Sequence, residues 1–230
     1  MFSNSGILSV KTLPATFKSA ITSTSNSDLT VYTFSITTTL STESDRAIGV
    51  FYAGAVDTGT INTPTTLTLN GSNVSSGVGS QLTSSGSIDG RIGFAWWLDG
   101  LVPSSAGTYD VVLTWNGTID WSAVGLYEVY DADQTTPFTI AADGSNTSYD
   151  LVNADAEQVL LCAAINLDSL GNVILSTTST PTGWVEDLSF QDTSTDGACN
   201  FGHTTAGLSG DTLTYSSGNT YKYVVRANKA

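Results

Sequence analysis

The chain is short of cations: seven Lys and Arg stand against 21 Asp and Glu in 230 residues, a formal net charge of −14. Nucleic-acid binding needs clustered Lys and Arg, so that partner is excluded, and anionic membranes are disfavoured for the same reason. There is one histidine, His203, which rules out a multi-histidine metal site. The two cysteines permit one disulfide without forcing it. Cys162 lies in the apolar run "VLLCAAI" and Cys199 in the loop-like "STDGACNFGH", and whether they pair stays open. No apolar run is long enough to span a bilayer. "MFSNSGILSVKTLPATFKSA" lacks a basic stretch ahead of a continuous apolar run, so neither membrane insertion nor a secretory signal is expected. No sustained 3.6-residue apolar period appears, which excludes alternating strand-helix architectures.

The few cations are also unevenly placed. Every acidic residue falls between Asp28 and Asp211, where only Arg46 and Arg91 interrupt the negative charge. Lys11 and Lys18 precede that body; Lys222, Arg226 and Lys229 follow it. An acidic body with basic ends results.

What the chain does have is period-2 alternation in Thr-, Val- and Tyr-rich runs. "LTVYTFSI" aligns Tyr32, Phe34 and Ile36; "AIGVFYAG" aligns Ile48, Val50 and Tyr52. "RIGFAWWLDG" sets Ile92, Phe94, Trp96 and Leu98 on one face and leaves Trp97 on the other. "GTYDVVLTWNG" aligns Tyr109, Val111, Leu113 and Trp115 before an Asn-Gly turn signal. A second set follows in "VLLCAAI", "GWVEDLSFQD" and "TYKYVVR". This predicts an all-β fold: an antiparallel two-sheet β-sandwich, jelly-roll-like, with about ten strands. No linker divides it, so residues 27–230 are expected as one domain. Residues 1–26 are expected as an N-terminal arm, because their apolar side chains are scattered among Ser and Thr. Phe2, Ile7, Lys11, Phe17 and Lys18 make that arm a candidate partner-binding segment.

Catalytic patterns fall short. Asp131 and Asp133, in "VYDADQTTPF", would share a face of a strand, but paired-carboxylate hydrolysis needs a partner carboxyl about 5 to 9 Å away across a cleft. Cys199 and His203 are four apart and Cys162 could supply a third ligand, but zinc would still need a fourth group or an open position, and the pair reads as a loop histidine beside an unrelated cysteine. Asp-rich stretches such as "DADQ", "ADGSN" and "NADAE" match no calcium-loop spacing and read as Asx turns. No enzyme activity, cofactor or metal is expected. Trp96 and Trp115 read as core. Trp97, facing away from Trp96, and Trp184, opening a strand after a turn, are the two rings available to a subunit contact or a glycan.

The middle of the chain, "RAIGVFYAG", "TPTTLTLNG", "FAWWLDGLVPSSAGTYDVVLTWNG" and "AVGLYEVYDADQTTPF", resembles a β-sandwich family of phage virion and bacterial surface proteins over roughly residues 30–140. The family's turn proline looks like Pro103. Its hairpin pair looks like Gly107 and Thr108, and its closing motif like Asp133, Gln134, Thr135, Thr136 and Pro137. The resemblance implies a structural or adhesive role with no catalytic residues to carry over. Together with the basic ends, it leads to an expectation: a virion structural protein, a capsid decoration, minor capsid or fibre-type component. Such a protein would dock by its termini onto other virion proteins and copies of itself. The alternative is a secreted or cell-surface adhesin or carbohydrate-binding module that meets a host glycan through Trp97 or Trp184.

Overall fold

The computed structural model describes residues 15–39, 42–85, 87–144, 148–150, 159–167, 184–192, 197–204, 212–214 and 220–230. Its regular structure is strand, apart from a 3-10 turn at Asp99–Leu101. The first half holds β1 (Thr16–Ser25), β2 (Leu29–Thr38), β3 (Ala47–Val56), β4 (Thr66–Leu69), β5 (Ser72–Asn73), β6 (Ser76–Ser85), β7 (Ile88–Leu98), β8 (Gly107–Ile119) and β9 (Trp121–Tyr130). The second holds β10 (Phe138–Gly144), β11 (Ser148–Asp150), β12 (Leu160–Leu167), β13 (Trp184–Asp192), β14 (Gly197–Thr204), β15 (Thr212–Thr214) and β16 (Thr220–Ala227). The expected all-β, antiparallel sandwich is what forms.

The layers number three rather than two. A central sheet of order β1-β9-β3-β7-β6 is covered in front by β2-β8-β4-β5 and behind by β10-β16-β12-β14-β13. In front, Tyr32, Phe34, Leu113 and Trp115 pack on Val50, Tyr52, Trp97 and Leu126 of the central sheet. Behind, Leu161, Phe201 and Tyr223 pack on its Phe51, Phe94 and Tyr127, with the Phe51 and Phe201 rings stacked at 6.0 Å. The physical cause is in β3 and β9. Their sequences "AIGVFYAGAV" and "WSAVGLYEVY" are apolar on both faces, as in a strand with no solvent side, and nine of the ten residues in each are buried.

A sheet packed on both faces must let large rings come close. Gly54 and Gly125 supply that closeness, one on each side. A Cβ at Gly54 would lie 2.6 Å from Ile119 and 2.9 Å from the Trp121 carbonyl oxygen; one at Gly125 would lie 2.7 Å from the Phe201 ring.

Residues 16–25, expected within an arm, are instead the edge strand β1. It pairs with β9 from Thr16↔Tyr130 to Ser25↔Ser122. An edge strand of Ser and Thr needs little apolar alternation, because most of its stabilisation comes from backbone pairing with β9 and partial burial of both faces.

The back sheet repeats the wiring of the central one. In each half the first strand lies beside the last (β1 with β9, β10 with β16), and the last then pairs with the third (β3, β12). The third pairs next with β7 in one half and β14 in the other, and these with β6 and β13. The second strand pairs with the penultimate in both: β2 with β8, and β11 with β15 as a separate two-stranded ribbon.

Candidate functional site

The segment 131–137 leaves the central sheet at β9 and enters the back sheet at β10. Asp133 folds its carboxylate back to accept the amides of Thr135 and Thr136 at 2.7 and 3.1 Å. Those two amides hold its carboxyl below the usual aspartate range. Gln134 donates to the carbonyls of Arg46 and Ala132 and accepts the amide of Asp99. Arg46 in turn places Nε 2.5 Å from Asp99 Oδ1 and donates Nη1 to the Pro103 carbonyl at 2.8 Å. Asp131 sits at φ +53°, turning the chain out of β9. The residues matched to the turn proline and the closing motif are thus joined in one hydrogen-bonded corner. Asp131 and Asp133 belong to its turn.

Both ends of the described chain come to this corner. Thr16 stands opposite Tyr130, the Asp131 carbonyl accepts the amide of Ala230 at 3.2 Å, and Lys229 bridges Ala132. Asn228 ties the exit down, donating to the Thr136 carbonyl and the Thr139 hydroxyl, both at 2.7 Å.

The candidate partner-binding residues separate. Phe2, Ile7 and Lys11 lie outside the described residues. Phe17 stacks on the His203 ring at 4.2 Å, inside the contact between β1 and the back sheet. Lys18 pairs with Glu43 at 2.6 Å, a bond that raises its pKa. Trp97 is a correction: it is fully buried in the front interface and donates Nε1 to the Ser72 carbonyl at 3.0 Å. Alternation did place it opposite Trp96, but that opposite face is itself core. Trp96, facing the back sheet, is half-buried near Phe138. Trp184 is half-buried at the edge strand β13, its ring lying against Gly202.

Cys199 and His203 share β14 rather than a loop, and both are buried. His203 Nδ1 is 2.8 Å from Asp187 Oδ2, and Asp187 reaches the inner face through a bulge between Glu186 and Leu188. The Asp187 carbonyl also accepts Thr22 Oγ1, so this pair fastens β1 to the back sheet. Cys162 faces the other side of the back sheet from Cys199, each thiol is free, and burial pushes both pKa values up. Among the described residues, no group of three or more His, Cys, Asp or Glu is placed to hold a metal. "DADQ" is a turn, while "ADGSN" and "NADAE" fall partly or wholly outside the described residues.

Two features gave little sequence signal. A cleft of about 220 Å³ opens between the front and central sheets, lined by Tyr52, Pro64, Thr65, Leu67, Val74 and Phe94. Its lining carries no carboxylate, histidine or lysine, so it offers no acid-base pair. The other is Glu128, fully buried, which accepts the Thr39 amide and hydroxyl and the Ser19 hydroxyl. It locks β1 to the end of β2.

No protein-family model matches the chain, and comparison with curated proteins and with solved structures finds no similar protein. The fold defines its class as an antiparallel β-sandwich of three sheets.

Proposed function

We propose that this chain is a virion structural protein, a capsid decoration, minor capsid or fibre-type component that docks through one end. The observation that carries the reading is the meeting of both ends of the described chain, Thr16 and Ala230, at the Asp131 corner. Lys11 and Lys18 precede the acidic body and Lys222, Arg226 and Lys229 follow it; of these, Lys18 in β1 and Lys229 beside Ala132 stand near a corner braced by Arg46, Asp99 and Gln134. A single basic dock on a −14 body lets many weak copies orient alike on a symmetric acidic particle. The polar side chains described above are engaged in holding strands together, which suits a scaffold better than a catalyst.

The wiring supports a finer reading. First-beside-last and second-beside-penultimate pairing across two facing sheets is the order of a jelly roll, so β1–β9 form one jelly roll, and β10–β16 follow the same plan behind it.

The test is a deletion of residues 1–14, which leaves β1 whole. The expected outcome is a folded chain that no longer joins its particle. Incorporation at the level of the full chain would count against docking by this end. The glycan-binding alternative now rests on Trp184 alone, since Trp97 is core. Glycan-array binding that is lost in Trp184→Ala and kept in the deletion variant would favour it.

A further inference from the structure

Among the described residues, six strands form the edges of the three larger sheets, and five of them are guarded. β1 carries Lys18 and a register shift between Phe17 and Ser19. β6 shifts between Val78 and Gln81, and β10 between Ile140 and Ala142. β13 holds Glu186, Asp187 and Asp192 and shifts between Glu186 and Leu188, while β5 is only two residues long. Bulges, charges and shortness are the usual means of keeping an edge from pairing with another chain. β2, at the end of the front sheet, has none of them over most of its length. Its sequence "LTVYTFSITT" contains no charge and no proline, and its register with β8 is unbroken from Val31 to Thr38. Tyr32, Phe34 and Ile36 anchor it in the core, which holds its open edge extended.

The face that β2 turns outward is nearly uncharged as well. Val31, Thr33, Ser35 and Thr37 are exposed, Val31 at 48%. Opposite them on β8 stand Thr114, Val112, Asp110 and Thr108. Asp110 is the one charged side chain among these, and it accepts the Ser35 hydroxyl at 2.8 Å. Thr37 and Thr108 share a hydrogen bond at 3.1 Å.

We propose that β2 pairs antiparallel with β2 of a second copy, joining two front sheets edge to edge about a two-fold axis. Charge selects a second copy as the occupant. Two −14 bodies repel each other, and they do so least where an uncharged strand meets its own uncharged image. The contact is isologous: each copy satisfies the other's open backbone N–H and C=O groups, and no β2 edge is left over. Val31, Thr33, Ser35 and Thr37 stay on the outward face, beside the same residues of the partner copy. The pairing goes beyond the docking reading, and its test uses the purified chain alone, so either can fail without the other.

Sedimentation equilibrium of the purified full chain is the test. The expected mass is that of two chains, with the dimer favoured further by added salt, which screens the repulsion between the bodies. Thr33→Glu brings like charges together at the two-fold axis but is exposed in a single copy. It should halve the mass while circular dichroism stays that of the native sandwich. Cross-linking reads the geometry. Cys162 and Cys199 are 0% exposed, so a short bismaleimide reports an introduced surface thiol. Ser35→Cys should give a covalent dimer. Thr68→Cys should not, because β4 lies two strands in from β2 and the two thiols would be about 24 Å apart, five strand spacings. A full chain with the mass of one copy at every concentration would overturn the proposal. So would a dimer that survives Thr33→Glu, or cross-linking at position 68 as strong as at 35, which would mean stacking face to face. A monomeric full chain that dimerises once residues 1–14 are deleted would assign the edge to that segment and overturn it equally.

Discussion

The two halves of the molecule share a plan and differ in what fills it. In the first, the central sheet meets a four-stranded cover, and the space between is packed with Tyr32, Phe34, Trp97 and Trp115. In the second, the corresponding face of the back sheet carries Asn166, Asn200 and Lys222 among small residues, and the second and penultimate strands pair as a short ribbon. One half is closed by large rings; the other carries buried polar groups. Wiring is thus preserved under very different side-chain chemistry. The third interface, between the halves, is aromatic again through Phe51, Phe94, Tyr127 and Phe201.

Removing one large ring from each of two interfaces should have the largest effect. Phe201→Ala empties the contact between halves and Trp97→Ala the front interface, and each is expected to cost about 3–5 kcal/mol in urea unfolding. If the halves were independent, Phe201→Ala would cost much less than Trp97→Ala. Overfilling comes next. Gly125→Ala pushes a methyl into the Phe201 ring and Gly54→Ala pushes one against Ile119 and the Trp121 carbonyl, each expected to cost about 1–3 kcal/mol. Equal losses would mean that both faces of the central sheet are packed to the same density. The smallest effect belongs to the corner. Asp133 has its pKa lowered on folding, so its contribution is present above the ordinary aspartate pKa and disappears as pH falls through the lowered value. Asp133→Ala should therefore lower the melting temperature slightly at pH 7. The gap to the parent should close in strong acid, and a gap independent of pH would contradict the turn's role.

Alternation in the sequence was enough to find the strands around Tyr32, Trp96 and Trp115 and to read Asp133 as a turn former. It could not count layers. Period 2 separates two faces but does not say whether the second meets water or another sheet, and this is why Trp97 was assigned to an outer surface. The clue was present in β3, whose Gly- and Ala-rich run is apolar at every position, and in β9, where only Ser122 and Glu128 interrupt the apolar run. The same ambiguity hid Lys222. In "TYKYVVR" it alternates with two tyrosines and reads as the solvent side, yet it is buried. Edge strand β1 was invisible for the opposite reason, since its Ser and Thr carry β-propensity without an apolar face. The joining of Arg46, Asp99 and Gln134 spans 88 positions between Arg46 and Gln134 and leaves no local pattern.

Hydrogen exchange as a function of urea concentration, read at the amides of Phe51 in β3 and Ala163 in β12, tests most directly whether the halves share one core. The two amides are expected to exchange only through global unfolding, with the same free energy and the same urea dependence. Exchange at Ala163 through a separate, less costly opening that leaves Phe51 protected would contradict a common core.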